Sequence, residues 1–254
     1  MKRKAVIIYS HDVEGEKLLP GAAVDAENWK NFLLSDLGGA WNDTEIKVLR
    51  KPFSSDVSAE LNVDKDVYLF VAFSGHGEDG TVVLNETLRS YSIENLRPKT
   101  NRGVLICDSC RGVAEYSKLS FGFKQAANQL LVLNASTVRN KAYYQESTLA
   151  QYNFYKETVS NYHRDYWISC FGSQIGCVKM LSCSKGEGAD EDPEAGGYYT
   201  TLLLQAAENI SNSARSSVIS TRHAHDYAAA NLPEQQNPEY SPNHLAYPFA
   251  VCVV

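Results

Sequence analysis

Two short segments of this 254-residue chain carry side chains that could perform covalent chemistry. His76 lies between two glycines in Val-Ala-Phe-Ser-Gly-His-Gly, and Cys110 lies in Ile-Cys-Asp-Ser-Cys-Arg-Gly. A thiolate is a strong nucleophile, and an imidazole within reach can take the thiol proton and later give it to a leaving amine. Attack on an amide creates an oxyanion that needs preorganised donors, for which the backbone N–H groups of Gly77 and Cys110 are our candidates. The pair therefore predicts acyl transfer through a thioester.

Both reactive segments follow short apolar runs that predict buried strands. Apolar spacing over Ala22–Leu34 and Thr200–Ile210 predicts amphipathic helices, so the order of elements indicates an α/β fold with a mostly parallel sheet. Reactive groups gather beyond the carboxyl ends of such strands, which would bring His76 and Cys110 together. We expect a closing strand over Tyr247–Val254. The four apolar runs are Ala5–Tyr9, Val67–Ser74, Gly103–Asp108 and Val178–Ser182.

Residues 113 to about 176 differ from the rest in being rich in Tyr, Asn, Gln and Ser. They separate the third strand from the fourth by more than a crossover helix needs, which predicts an insertion within one domain spanning 1–254. Phe123–Leu131 and Thr148–Thr158 are its candidate helices. The later segment Gly186–Glu194 holds five acids and no base, which predicts a solvated loop.

Composition and charge exclude several classes of protein. A net charge of -6 without clustered Lys and Arg argues against nucleic-acid binding. No stretch is long and apolar enough to span a bilayer, and the first apolar stretch, of about five residues, is too short for a secretory signal, so we expect a cytoplasmic protein without membrane partners. The spacing of the Cys and His residues does not suggest a zinc site. The other cysteines are expected to be buried reduced thiols: Cys107, Cys170, Cys177, Cys183 and Cys252.

The two reactive segments resemble those of caspase-like cysteine peptidases, in which Cys-[Arg/Gln/Gly]-Gly follows an upstream His. Asp108, two residues before the Cys, is the residue found in metacaspases and paracaspases, whereas animal caspases have Gln. The resemblance covers about residues 1–112 and 177–254. It implies a three-layer sandwich with helices on both faces of a mostly parallel sheet, in a compact, prokaryotic-type protease of phage defence or regulated cell death. Three further segments are similar to the family: Leu19–Ala26, Gly196–Thr200 and Gln236–Pro238.

The resemblance also assigns a substrate pocket. Asp25, Ser74 and Asp108 match in type the residues that line the pocket before the scissile bond in metacaspases. Two carboxylates there would pair with a guanidinium or ammonium group, which implies protein substrates cleaved after Arg or Lys. Cleavage after Asp would need basic residues in the pocket. Taken alone, Asp25 could instead be an exposed helix acid, and Asp108 a cap at a strand end.

The chain also departs from the family pattern. Ala22 replaces a Cys, and Arg111 with Gly112 replaces the His-Ser-Gly common in metacaspases. The acids after His76 form no cluster of the kind that binds calcium in some members, and the acidic loop at 190–194 is more typical of a solvated loop than of a calcium site. We therefore expect no cofactor.

The insertion lies where caspases carry the linker between their large and small subunits. Self-cleavage there is a hypothesis, because basic residues match the predicted specificity. The tyrosines of the insertion could form a cap that binds an activating ligand or protein, or could simply pack. The basic candidates are Arg139, Lys141, Lys156, Arg164 and, just beyond, Lys185.

Two other functions remain as alternatives. The chain could be a catalytically silent caspase-like scaffold or regulatory binding protein, although intact His76, Cys110 and pocket acids argue against that. It could also be a flavodoxin-like domain that binds phosphate. Neither glycine-rich phosphate-binding motif is present, which disfavours the latter.

Overall fold

A six-stranded sheet forms the centre of the protein in the computed structural model, which describes residues 1–112, 146–211 and 216–253. Neighbouring strands run parallel, except that β12 is antiparallel to β8. In spatial order the strands are β12 (Glu239–Ser241), β8 (Gly176–Leu181), β7 (Arg102–Asp108), β3 (Tyr68–Gly75), β1 (Arg3–Ser10) and β2 (Ile46–Arg50).

Helices and three small sheets surround the central sheet. The helices are α1 (Pro20–Leu34), α2 (Ser54–Leu61), α3 (Ile93–Leu96), α4 (Glu146–Ser169), α5 (Tyr198–Ser211) and α6 (Thr221–Asn231), with a 3₁₀ turn at Asp43–Glu45. The small sheets are β4 (Gly77–Glu78) with β5 (Thr81–Val82) and β6 (Tyr91–Ser92), β9 (Glu191–Asp192) with β10 (Gly196–Gly197), and β11 (Ser217–Ser220) with β13 (Pro248–Cys252).

The sheet is buried on both faces, which explains why its strands read as unbroken apolar runs. Along β3, Tyr68, Phe70 and Ala72 join one core with Trp29 of α1 and residues of α5 and α6. The alternate residues Leu69, Val71 and Phe73 join a second core with Val57 of α2 and Leu96 of α3. The expected α/β three-layer arrangement is therefore confirmed.

The predicted core elements are found, while the edges of the sheet were missed. All four apolar runs form strands of the central sheet, with only Val67 and Ser182 outside the strand ends, and both predicted amphipathic helices lie in α1 and α5. The Thr148–Thr158 candidate lies within α4, whereas Phe123–Leu131 lies outside the described residues. The expected closing strand exists as β13, but it pairs with β11 and does not join the central sheet. No helix among the described residues has the length and apolar character needed to cross a bilayer.

The edge strands β2 and β12 were not predicted because their sequences carry little of the buried pattern. In β2 only Ile46 and Leu49 are half-buried and the other three residues are exposed, and β12 has only three residues. Among the cysteines expected to be buried and reduced, all are free thiols, but only Cys107, Cys177 and Cys183 are fully buried. Cys170 and Cys252 are half-buried, which corrects the expectation for those two.

Candidate active site

The segments that carry His76 and Cys110 meet beyond the carboxyl edge of the sheet. Strands β3 and β7 are parallel neighbours, with Ser74 opposite Asp108 at their ends. Gly77 packs directly on the nucleophile segment, because a Cβ at this position would lie 2.8 Å from the Cys110 carbonyl oxygen and 2.8 Å from Ser109 Oγ. Only glycine permits so close an approach, so the second glycine of Gly-His-Gly reflects the contact between the two segments.

The imidazole of His76 is oriented by a backbone carbonyl. Its Nε2 lies 2.6 Å from the carbonyl oxygen of Lys17, in the loop between β1 and α1. A carbonyl oxygen can only accept, so Nε2 must carry a proton and donate. In the neutral ring this leaves Nδ1 as the nitrogen able to accept a proton. The backbone of His76 is held as well, since Val83 N–H donates to its carbonyl at 2.9 Å.

The Cys110 thiol is half-buried beside Ala189. The Ala189 N–H points at Sγ over 3.4 Å, and Sγ lies 3.7 Å from the Ala189 carbonyl oxygen. Burial raises the pKa of Cys110, and the carboxylates of Asp108 and Asp190 raise it further, against the opposing effect of the Ala189 N–H. The resting thiol is therefore protonated and needs a base before it can act as a nucleophile.

The loop after β8 binds to the residues that follow the nucleophile. Arg111 N–H donates to the Glu187 carbonyl at 2.8 Å, and Gly186 N–H donates to the Arg111 carbonyl at 2.9 Å. The Arg111 guanidinium forms an ion pair with Glu239 of β12 at 2.6 Å. The loop and the Cys110 segment are thus joined by backbone hydrogen bonds in both directions.

The Gln236–Pro238 segment holds the same loop in place. Gln236 is 3% exposed, and its side chain accepts from Asp190 N–H at 3.2 Å and donates to the Ser182 carbonyl at 3.0 Å. The Glu187 carboxylate accepts from Asn237 N–H at 2.8 Å. These bonds position Ala189 against the thiol.

The three residues predicted to form the substrate pocket are brought together. Asp25, in α1, is 0% exposed, which excludes the alternative of an exposed helix acid. Ser74 Oγ donates to Asp25 Oδ2 at 2.5 Å, and Gly197 N–H donates to Asp25 Oδ1 at 2.9 Å. Asp108 Oδ2 accepts from both the N–H and the hydroxyl of Thr200, at 3.0 and 2.8 Å. Asp108 therefore also caps the first turn of α5, which partly fits the alternative that this residue is a cap at a strand end.

The Gly196–Gly197 pair lets the β9–β10 hairpin approach both carboxylates. A Cβ at Gly197 would lie 2.3 Å from Asp108 Oδ2 and 3.1 Å from Asp25 Oδ2, and one at Gly196 would lie 2.2 Å from Asp25 Oδ1. Burial raises the pKa of Asp25 well above its usual value, and the Asp108 carboxylate raises it further. Burial likewise raises the pKa of Asp108. Two such acids do not readily ionise together unless a cation joins them.

A third carboxylate, not predicted from the sequence, lies beside this pair. Glu191 of β9 rests on the start of α1, since a Cβ at Gly21 would lie 2.6 Å from Glu191 Oε2. Burial raises the pKa of Glu191 to about 7, and Asp108 contributes to the shift. The expectation of a solvated loop over Gly186–Glu194 is thus wrong for this part, because the loop packs between Cys110 and α1. Its acids look alike in the sequence, and only the neighbouring glycine pair could have indicated which one turns inward.

The remaining expectations about this site are not tested by the geometry. The assignment of the Gly77 and Cys110 N–H groups to an oxyanion hole stays a prediction. Among residues 1–112, 146–211 and 216–253, no group of three or more His, Cys, Asp or Glu side chains could hold a metal ion. The absence of a cofactor also stays a prediction.

Comparisons with known proteins place the chain in a family. A search of curated sequences finds no significant match. Among solved structures, caspase-1 from Spodoptera frugiperda is similar with a TM-score of 0.54 at 13% identity, over 94% of this chain and 86% of that one. Identity this low shows a shared fold alone. The sequence itself matches the caspase domain family over residues 2–250, so the chain belongs to that family of cysteine peptidases.

Proposed function

We propose that this protein is a cysteine endopeptidase that cleaves protein substrates after Arg or Lys, with Cys110 as nucleophile and His76 as general base. One observation carries the proposal: Asp25 and Asp108 are buried together at the sheet edge where Cys110 and the carbonyl-bound His76 converge. A pair of buried acids beside a nucleophile fits recognition of a cationic side chain next to the bond that is cut.

The chemistry follows from the proton positions. His76 Nδ1 takes the Cys110 proton, and the thiolate attacks the scissile carbonyl carbon. The Gly77 and Cys110 N–H groups are the proposed donors to the oxyanion. When the intermediate collapses, the C–N bond breaks, and the imidazolium protonates the departing amine. A water molecule, deprotonated by His76, then hydrolyses the thioester, which releases the new carboxylate and restores the thiol.

The pocket supplies the proposed specificity. An entering guanidinium or ammonium would favour the ionised forms of Asp25 and Asp108, whose pKa values are raised without it. Glu191 would add a third negative charge at the side of the pocket. Since Asp25 is 0% exposed and Asp108 5% exposed, binding requires the Gly196–Gly197 hairpin to move away from the carboxylates.

Peptides with a fluorogenic group after Arg, Lys, Asp or Leu test the proposal. Hydrolysis of the Arg and Lys peptides by wild type, lost in Cys110→Ala and kept in Cys170→Ala, is the expected result. Cys170 is a matched control because it is also a half-buried free thiol. Cleavage of the Asp peptide alone would contradict the pocket assignment and leave the His-Cys pair standing.

A catalytically silent scaffold is the second candidate, and the covered carboxylates are the observation that favours it. A peptidyl-arginine chloromethyl ketone separates the two without turnover. An enzyme alkylates Cys110 faster with the arginine reagent than with its leucine analogue, as read by mass spectrometry. A scaffold shows no preference between the reagents.

The wider biological setting stays a prediction, including the cytoplasmic location, a role in phage defence or cell death, and an activating ligand or protein. Self-cleavage also stays a prediction. Arg139 and Lys141 lie outside the described residues, whereas Lys156 and Arg164 lie in α4, and the Arg164 guanidinium donates to the Ala40 carbonyl at 2.7 and 2.9 Å. A helical segment is a poor site for a peptidase that binds extended chains, so Lys185 is the best of the described candidates.

A further inference from the structure

The carbonyl that orients His76 belongs to a loop with little support of its own. Residues 14–18 are exposed, and the loop between β1 and α1 closes through two backbone bonds, Glu16 N–H to the Val13 carbonyl and Leu19 N–H to the His11 carbonyl. Exposed segments with few buried contacts open easily. The position of the Lys17 carbonyl must therefore depend on contacts from outside the loop.

Arg89 supplies such contacts to the three residues before Lys17, while Arg50 and Lys51 hold Asp12 near the start of the loop. Arg89 Nη1 lies 2.6 Å from Glu16 Oε1, and Nη2 donates to the carbonyl of Glu14. Between them, a Cβ at Gly15 would lie 3.1 Å from Arg89 Nη2. The φ of Gly15 is +79°, in the left-handed region that favours glycine. The planar fork of arginine thus covers three consecutive residues immediately before Lys17.

Arg89 in turn extends from an anchored segment. Asn85 is 4% exposed, and its side chain accepts from Leu88 N–H at 3.0 Å and donates to the Pro52 carbonyl at 2.7 Å. Ser10 Oγ donates to the Leu84 carbonyl at 2.7 Å, which ties the same segment to the end of β1. One residue earlier, Val83 N–H is the donor that holds the His76 backbone.

We infer that Arg89 is a positioning residue for His76, acting through Glu14, Glu16 and the Lys17 carbonyl. The segment from Val83 to Arg89 holds His76 from two sides, directly at its backbone and indirectly at its ring. Arg89 touches no reacting atom. It keeps the carbonyl within hydrogen-bond distance of Nε2, which keeps Nδ1 available to Cys110. This inference rests on the proposed peptidase function for its kinetic consequence, but not for its structural one.

Kinetics of Arg89→Ala give the first test. We expect kcat to fall about fivefold to twentyfold while KM changes less than roughly twofold, because the lost contact acts on the base and not on substrate binding. Arg97→Ala is the matched control: Arg97 is also in a surface ion pair, and its side chain is 47% exposed, against 44% for Arg89. Glu16→Gln should lower kcat less, and the double variant should add little to Arg89→Ala, as expected for partners in one contact.

Nitrogen-15 spectra of the imidazole give the second test and need no turnover. Wild type should show His76 as the Nε2–H tautomer, with His76→Gln identifying its signals. Arg89→Ala should show a mixture of tautomers. Arg89→Lys should lie between the two, since an ammonium can pair with Glu16 but cannot also reach the Glu14 carbonyl.

The outcomes separate this inference from the peptidase proposal. An unchanged tautomer in Arg89→Ala overturns the inference, as does a change in KM alone or an equal loss in Arg97→Ala. A wild type that cleaves no peptide would count against the proposed function, while the tautomer shift would still decide the role of Arg89.

Discussion

The two halves of the candidate site are built in opposite ways. Asp25, Ser74 and Asp108 lie in a helix and two strands, are nearly or fully buried, and are bonded to one another or to the residues around them. His76 lies partly exposed between β3 and β4 and takes its orientation from the carbonyl of an exposed loop. The comparison teaches that the carboxylates proposed for specificity lie in buried core elements, whereas the proposed base depends on an exposed loop with few buried contacts.

Removing the imidazole should have the largest effect. In His76→Ala we expect kcat toward Arg peptides to fall by about 100-fold or more with KM little changed, because proton transfer by a positioned base contributes at least that much. Steady-state kinetics check it. His244→Ala, which alters a histidine of the turn before β13, serves as control. If His76→Ala kept most of its kcat, the assignment of the base would be wrong.

A substitution in the pocket should lower kcat/KM without lowering the stability of the fold. In Asp25→Asn we expect kcat/KM for Arg and Lys peptides to fall by about 30-fold or more, since removing one partner of a buried charge pair costs about 2 kcal/mol or more. Stability should hold or rise, because the variant loses a buried acid that Asp108 opposes. Glu27→Gln, on the exposed face of the same helix, should change neither quantity. Full activity in Asp25→Asn would refute the pocket assignment.

A methyl group at the glycine pair should damage both halves of that pocket. In Gly197→Ala the new Cβ would lie 2.3 Å from Asp108 Oδ2, so we expect a loss of about 1–3 kcal/mol in the free energy of unfolding, together with weaker cleavage after Arg. Thermal or urea denaturation measures the first effect. Gly80→Ala is the comparison, because nothing lies within 4 Å of a Cβ there even though its φ is +88°. Similar losses in cleavage from both variants would mean that the contact with Asp108 is irrelevant.

The smallest expected effect is a pH dependence of stability. The pKa of Glu191 is raised to about 7, above the value of about 4.3 in an unfolded chain, so between those values the folded state binds more protons than the unfolded state. Stability then falls as the pH rises through this window. In Glu191→Gln this part of the slope should disappear, which would leave a melting temperature higher than wild type at pH 8 by roughly 2–3 °C. Parallel pH profiles for the two proteins would show that Glu191 is not buried in solution.

The sequence could predict the buried pocket residues better than the loops that position the reactive groups. Asp25, Ser74 and Asp108 lie in or beside periodic apolar segments, so strand and helix patterns place them, and resemblance to the family assigns their role. The groups that position the reactive atoms are mostly backbone groups, such as the Lys17 carbonyl and the Ala189 N–H. Any residue type can supply a backbone carbonyl or N–H, and the composition of a loop does not determine its path.

Glu191 illustrates the other limit of sequence reasoning. It is one of five acids in a segment of uniform composition, and its inward position depends on its contact with Gly21 and its pairing with Gly197 of β10. The same holds for Arg89, whose importance comes from contacts with residues more than seventy positions away along the chain. Long-range pairs of this kind leave no periodic trace in a single sequence.

The order of strands in the central sheet has a consequence for any break in the backbone. β7 comes before residues 113–145 and β8 comes after them, yet the two strands pair over six residue positions. Ser160 of α4 also donates a hydrogen bond to Asp36, which lies 124 positions earlier in the sequence, at 2.6 Å. A chain nicked once between those strands would still migrate as one particle in a native gel. The two polypeptides would separate only in detergent, so a denaturing gel would detect such a break and gel filtration of the intact particle would not.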